Sequence, residues 1–290
     1  MMRSLLKEAR PKQWFKNVLV FAAPGAAGVL DDGHYIRIAL LTFVAFCLVS
    51  SGTYFWNDIL DVDSDRQHPK KRFRPIASGT VPIGIARVVG TVLIFGGIAI
   101  GLTTGHPKTS LILVFYVVLT LSYSIKLKHV AVVDLVAVAG GFVLRAIGGA
   151  IAADKPMSTW FVLVTTFGSL FIVTGKRYAE LIEMGEEAGT TRATLETYSI
   201  AYLRMLLGIS AGATLLAYCQ WAFDTAELAG STFPYYELSI VPVLTALLRY
   251  LLILEQGHGG APEEVFIGDR PLQFFGVIWF VLFGLGVYVR

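Results

Sequence analysis

The sequence predicts an all-α polytopic membrane protein of about nine transmembrane helices in one domain spanning residues 1–290. Three observations carry that expectation. Hydrophobic residues make up 55% of the chain and charged residues 16%, against roughly 45–50% and 25% in soluble domains. Apolar stretches close to the ~20 residues that cross a bilayer recur from end to end, with no polar insert long enough for a second domain. Lysines and arginines gather in alternate connections, the distribution of a chain threaded back and forth with its bases kept on one side.

Taken in order, residues 1–16 read as an interfacial N-terminal helix. Lys16 interrupts what would be the apolar core of a signal peptide, and Pro24 breaks the run that follows. The candidate spans then cover about 14 to 30, 36 to 57, 82 to 103, 108 to 124, 130 to 152, 157 to 175, 199 to 222, 235 to 254 and 271 to 289. With the N-terminus in the cytosol, that side receives Arg3, Lys7, Arg10, Lys12 and Lys16, then Arg66, Lys70, Lys71, Arg72 and Arg74, then Lys126, Lys128, Lys176, Arg177, Arg192 and Arg270. The opposite loops carry only Arg37, Lys108 and Lys155, and residues 223 to 237 hold Asp224, Glu227 and Glu237 without a single base. The expected location is therefore the inner (plasma) membrane, multi-pass, N-terminus inside. Cys47 and Cys219 lie in apolar runs without metal spacing and read as small core residues, while Gly96-Gly97 and Gly140-Gly141 read as sites of close helix packing.

The second span ends in Asn57-Asp58-Ile59-Leu60-Asp61-Val62-Asp63-Ser64-Asp65. On a continuous helix Asp58, Asp61 and Asp65 fall within an arc of about 60°, with Asp63 on the far side. Carboxylates so placed repel one another, and hard oxygen ligands suit Mg²⁺, which takes one or two carboxylates together with substrate phosphates. A solvated helix end is the bland reading. The bases that follow at once, Arg66, Lys70, Lys71, Arg72 and Arg74, with His68 among them, favour a metal-bridged polyphosphate instead.

These residues resemble the first motif, N-D-x-x-D-x-x-x-D, of the UbiA superfamily of intramembrane prenyltransferases, matched here by Asn57, Asp58, Asp61 and Asp65. The resemblance runs over nearly the whole chain and includes Tyr123-Ser124-x-x-Leu127-Lys128. It implies a helical bundle with a cytosolic-face site, two aspartate-rich motifs and Mg²⁺. At the second motif the sequence departs, with Gly175-Lys176-Arg177-Tyr178-Ala179-Glu180 placing bases where acids are usual; Glu180, Glu183 and Glu187 keep an acidic stripe. Together with Arg10-Pro11-Lys12-Gln13-Trp14-x-Lys16-Asn17, this variant resembles the branch that attaches phosphoribose to decaprenyl phosphate in actinobacterial arabinan and cell-wall synthesis. The partners implied are phosphoribosyl pyrophosphate, a polyprenyl phosphate and the membrane, with no nucleic acid; a homo-oligomer is left open.

The expected site follows from that branch. Asp58 and Asp61 are the catalytic residues, Asp58, Asp61 and Asp65 the metal ligands, and residues 58–80 and 176–198 the active-site loops. Lys16, Asn57, Lys70, Arg72, Arg74, Tyr123, Lys128, Lys176, Arg177 and Glu180 are the substrate-binding set. Lys12, Gln13 and Lys16 could draw in the lipid phosphate or anchor to anionic lipid. Lys126 and Lys128 could close the site or serve topology alone. Asp134 and Arg145, intramembrane charges, suit an orienting role and either a structural pair or a function. His129 and His258 receive no role, and that of residues 261–270 stays open. Two rivals remain: prenyl transfer to an aromatic acceptor, whose second aspartate pair is absent, and transport, which would place charge or broken helices near the midplane.

Overall fold

The computed structural model describes residues 1–184, 193–230 and 232–289, and every regular element among them is helical. The short helix α1 (Met2–Glu8) leads into a 3-10 segment, Pro11–Phe21, and then α2 (Ala22–Ala26). Five helices follow: α3 (Gly33–Leu60), α4 (Val62–Gln67), α5 (Ile83–Leu102), α6 (Pro107–Ile125) and α7 (Val133–Ala152). Beyond them lie α8 (Thr159–Met184), α9 (Ile200–Ala229), α10 (Tyr235–Leu238), α11 (Ile240–Glu255), α12 (Pro262–Gly268) and α13 (Arg270–Tyr288). The helices divide between two compact units, Met1–Pro156 and Met157–Arg290.

Among the described residues eight helical stretches are long and apolar enough to cross a membrane, α10 and α11 together making one of them. Each answers to one of the expected spans. The expected span over 14 to 30 has no such helix, because its backbone is wound 3-10 as far as Phe21. Runs of that kind are seldom long unless neighbours hold them. Here the neighbours do: Asn17, fully buried, donates to Cys47 Sγ at 3.2 Å, and Trp14 Nε1 donates to Ser51 Oγ at 3.0 Å. Irregular backbone at membrane depth is tolerated where protein surrounds it in this way.

Arg145 closes this arrangement from α7. Its Nε donates to Asn17 Oδ1 at 2.7 Å, Nη1 to the Gly141 carbonyl at 2.7 Å and Nη2 to the Tyr116 hydroxyl at 2.8 Å. The guanidinium also lies 4.7 Å from the centre of the Tyr116 ring. A buried cation is thus dispersed over neutral acceptors and an aromatic face. Its structural role is to fasten the 3-10 segment to α6 and α7.

Within the first unit α3 is the central helix, and glycines let α5 approach it. A Cβ on Gly52 would meet the Gly90 carbonyl oxygen at 2.6 Å, and one on Gly97 the Ala45 carbonyl at 2.7 Å. The face of α5 carrying Ala86, Gly90, Ile94 and Gly97 is buried while Val88, Val92 and Phe95 are exposed, the division of a helix with one side on protein and one on lipid. Around the middle of α3, Val20, Ala45, Phe46, Val49, Leu113 and Tyr116 form one core cluster. There Gly149 meets the 3-10 segment so closely that a Cβ would overlap the Val20 carbonyl.

The second unit is tied by polar links between its own helices. Tyr178 of α8 donates to Glu255 Oε1 at 2.8 Å, and Arg204 of α9 donates to both Glu255 oxygens at 3.0 and 3.1 Å. Asp269 caps α13 through Leu272 N at 2.9 Å and pairs with Arg249 at 2.8 Å. The Arg249 guanidinium accordingly holds the Asp269 carboxyl below its ordinary range.

Gly149→Ala forces a methyl into the Val20 carbonyl, an overpacking expected to cost ~1–3 kcal/mol. Gly96→Ala meets nothing within 4 Å and should be neutral or slightly stabilising. Thermal unfolding of both variants in the same detergent checks the contrast.

Candidate active site

The site is built where α3 stops. Asp61 is the C-cap of α3, with φ −95° and ψ 4°, and α4 starts at once behind it. Carboxylates at a helix C-terminus face the negative end of the macrodipole, so Asp58 and Asp61 need cations nearby. In α4 the sense is reversed, with Asp63 and Asp65 in the first turn. Pro69 then holds His68 extended, and Pro75 does the same for Arg74, which has φ −64° and ψ 145°. Just beyond, Ile76 is buried with Phe55, Ile59 and Val81, so the loop returns against the end of α3.

Asp58 is 1% exposed and lies at the centre of this region. Arg10 donates through Nη2 to both of its oxygens, at 2.7 and 2.5 Å. Arg74 Nη1 donates to Asp58 Oδ1 at 3.1 Å and to Asp65 Oδ2 at 2.7 Å, so one nitrogen bridges two buried carboxylates. Asn57 Nδ2 donates to Asp58 Oδ1 at 3.1 Å, and its own oxygen accepts from Ser124 of α6 at 2.7 Å. Asp61 turns instead to Lys128, 2.5 Å away.

The single helical face expected for Asp58, Asp61 and Asp65 is therefore not what forms. The helix breaks at Asp61, which moves the later residues off the 100° progression, and among the described residues no three acidic, histidine or cysteine side chains converge closely enough for a metal. Asp58 and Asp65 do face a shared cation, here the Arg74 guanidinium. Asp63 points outward, its side chain 89% exposed.

Titration follows the burial. Glu8 at the end of α1 is 1% exposed, and neither of its oxygens accepts a hydrogen bond. Burial and the adjacent Asp58 carboxylate push its pKa up to about 8. Burial lifts the Asp65 carboxyl above its ordinary range despite Arg74. For Arg10, burial works to lower the value but Asp58 outweighs it and holds the guanidinium charged. Partial burial and Lys71 lower His68, whose Nδ1 accepts from the backbone N–H groups of Lys70 and Lys71 at 3.1 and 3.2 Å.

Other expected residues lie further out. Lys70 and Arg72 are exposed, Arg72 over the Phe73 ring, and Lys126 is exposed beside the connection that carries Lys128. Lys16 and Tyr123 are half-buried on their own elements. Asp134 is fully buried in the first turn of α7. In the second unit residues 176–184 continue α8, so Lys176, Arg177 and Glu180 stand on a helix. Arg177, 3% exposed, pairs with Glu180 Oε2 at 3.1 Å, while Lys176 Nζ lies 4.0 Å from Glu180 Oε1. Glu187 and Arg192 lie outside the described residues.

Arg10 and Glu8 were not expected at the site. Arg10 reads as one more topogenic base, and its partner is 48 residues away. Arg10 has φ 52° and ψ 57°, a left-handed conformation rare for a side-chain-bearing residue, which turns the chain between α1 and the 3-10 segment.

Comparison with known proteins places this geometry. A profile of the UbiA prenyltransferase family matches residues 18–283. The decaprenyl-phosphate phosphoribosyltransferase of Corynebacterium glutamicum is 40% identical over 289 residues, 98% of this chain and 87% of that protein. Its Mycobacterium tuberculosis namesake is 42% identical over 290 residues, 98% and 94%. Among solved structures, a UbiA homolog from Archaeoglobus fulgidus bound to DMAPP and Mg²⁺ superposes with a TM-score of 0.72 at 16% identity, covering 98% of this chain and 97% of its own. The acid-rich end of α3, the all-helical membrane fold and a match spanning nearly every residue lead to one assignment: this chain belongs to the UbiA prenyltransferase family.

Proposed function

We propose that this protein transfers 5-phosphoribose from phosphoribosyl pyrophosphate to a polyprenyl phosphate, decaprenyl phosphate as in the named relatives, with release of pyrophosphate and with Mg²⁺ as cofactor. The reaction is assigned to the cytosolic face of the inner membrane, in the supply of arabinan and cell-wall precursors. The observation that carries the reading is the pairing of Asp58 and Asp65 around the Arg74 guanidinium, with Arg10 on Asp58 and Lys128 on Asp61, in a chain about 40% identical to named phosphoribosyltransferases over nearly its full length. Carboxylates suit the metal and the surrounding bases suit a polyanionic donor.

The donor set fits Mg²⁺. Asp58 and Asp65 offer hard oxygens to one position, held here by Arg74, and Mg²⁺ commonly takes one or two carboxylates beside substrate phosphates. Bound there, the metal would neutralise the diphosphate and make it a better leaving group. Asn57, fixed by Ser124, supplies a neutral hydrogen bond to the same anion. As the ribose C1–O bond breaks, its electron pair leaves with pyrophosphate, and an oxygen of the lipid phosphate donates a lone pair to C1. The acceptor is already an anion, so no side chain has to remove a proton. Positioning and charge stabilisation therefore supply the catalysis.

Lys70, Arg72 and Lys128 are proposed as further phosphate contacts in the first unit, with Lys16 and Tyr123 on the acceptor side. In the second unit we assign donor phosphate contact to Lys176 and Arg177, with Glu180 orienting them. Lys176, the more exposed and more loosely paired base, is the better direct ligand.

Purified protein in lipid nanodiscs with Mg²⁺, a polyprenyl phosphate and phosphoribosyl pyrophosphate should form lipid-linked phosphoribose. The same protein given a prenyl diphosphate and 4-hydroxybenzoate should form nothing, and product only in that second mixture would overturn the assignment. Asp58→Asn, which keeps the shape and loses the charge, should lower kcat/KM at least 100-fold at unchanged membrane insertion. Lys176→Ala should raise KM for phosphoribosyl pyrophosphate roughly 10- to 100-fold, the worth of about 1.5–3 kcal/mol for a hydrogen bond to a charged group, with the lipid KM little changed.

A further inference from the structure

Among the described residues, Arg10 is the one partner of Asp58 that spans both of its oxygens. Its Nη2 covers both carboxylate oxygens at 2.7 and 2.5 Å, which is the edge a metal ion would need. Arg74 adds a third contact and ties Asp58 to Asp65. Two carboxylates are thus matched by two guanidiniums, a neutral and closed cluster. A divalent cation entering it would leave two positive charges in excess. That excess is what a diphosphate requires.

The two guanidiniums are not equivalent. Arg74 serves two acids from a loop pinned by Pro75 and the buried Ile76, so moving it would expose both carboxylates to each other. Arg10 serves one. Its guanidinium lies 4.9 Å from the centre of the Tyr54 ring while it pairs with Asp58, so the aromatic face accompanies a single carboxylate partner. The left-handed backbone at Arg10 adds local strain, and such conformations cost about 1–3 kcal/mol and recur at switching positions.

From this we propose that Arg10 is an exchangeable counter-ion. It occupies Asp58 in the metal-free protein, gives the carboxylate up to the divalent cation, and turns its guanidinium to the diphosphate that the cation brings. The inference rests on the reading of Asp58 and Asp65 as the metal-binding pair. Its consequence is linkage: the divalent cation and the phosphate bind weakly apart and tightly together, by the same factor in either order. An empty site would neither hold metal firmly nor expose an uncompensated buried charge.

The test measures binding, not turnover. Mn²⁺ titrations followed by electron paramagnetic resonance, on the full-length protein in nanodiscs with and without inorganic pyrophosphate, give the metal affinity and its coupling to phosphate. In the wild type, pyrophosphate should tighten Mn²⁺ binding at least tenfold. Arg10→Gln, which removes the competing cation and keeps hydrogen-bonding capacity, should bind Mn²⁺ alone at least fivefold more tightly than wild type and lose most of the pyrophosphate effect. Metal binding by Arg10→Gln equal to or weaker than wild type, with coupling intact, would overturn the proposal and leave Arg10 a structural tie. Arg10→Lys, which keeps the charge without the two-oxygen grip, should retain part of the coupling; full loss of coupling in Arg10→Lys together with unchanged Mn²⁺ affinity would also count against the exchange. Asp58→Asn separates the two levels of the argument: if Mn²⁺ binding is unaffected by that substitution, it is the metal-site reading that fails.

Discussion

A carboxylate buried at the C-terminal end of a membrane helix is the constraint around which the first unit is organised. Asp58 loses hydration and faces the negative end of the α3 macrodipole, two penalties acting together. Cations must come to it, and they come from opposite sides in sequence: Arg10 from 48 residues before, Arg74 from 16 residues after. Each drags a segment with it. Arg10 fixes the turn at which α1 becomes the 3-10 segment, and Arg74 folds residues 68–74 back over the helix end. Removing one partner of such a buried pair commonly costs about 3–5 kcal/mol, so the polar cluster that would serve the chemistry also sets the backbone around it.

The same logic explains which parts of the fold could be read from sequence. Helices α3, α5 and α7 follow from long apolar runs, because in lipid a continuous helix is the only local way to satisfy every backbone group. Residues 14 to 30 are nearly as apolar and do not form such a helix. What decides there is Asn17, whose amide is matched by Cys47 and by Arg145, 128 residues away. Hydropathy averages over a window and cannot register that one buried amide and one buried guanidinium have found each other. Arg145, ambiguous as an intramembrane charge, becomes intelligible only with its three neutral acceptors in place.

For the site, the motif spacing put Asp58 and Asp65 on one face and Asp63 outside; in the structure the first two share Arg74 and Asp63 is exposed. It misplaced Asp61 relative to them, since an ideal helix was extended through the residue at which α3 ends. Lys128, one base among several in a connection, turns out to hold Asp61, and Ser124 steadies Asn57 from the same helix end. Arg10 and Glu8 were invisible because nothing local distinguishes a basic or acidic residue that faces solvent from one that faces a buried aspartate. The left-handed backbone at Arg10 left no trace either, since a following proline favours extended conformations.

The basic substitution on α8 can be argued from burial. Arg177 is 3% exposed and Glu180 answers it at 3.1 Å, so this guanidinium sits in the second unit with its charge compensated. Lys176 is 41% exposed and 4.0 Å from the same carboxyl, close enough to be steered and too far to be spent. One acid therefore does two tasks, neutralising the buried base and orienting the exposed one. An aspartate pair at these positions would call for a metal of its own. Here Lys176 and Arg177 are balanced in number by Glu180 and Glu183 on the same helix, so α8 presents bases beside acids where an aspartate pair would present acids alone.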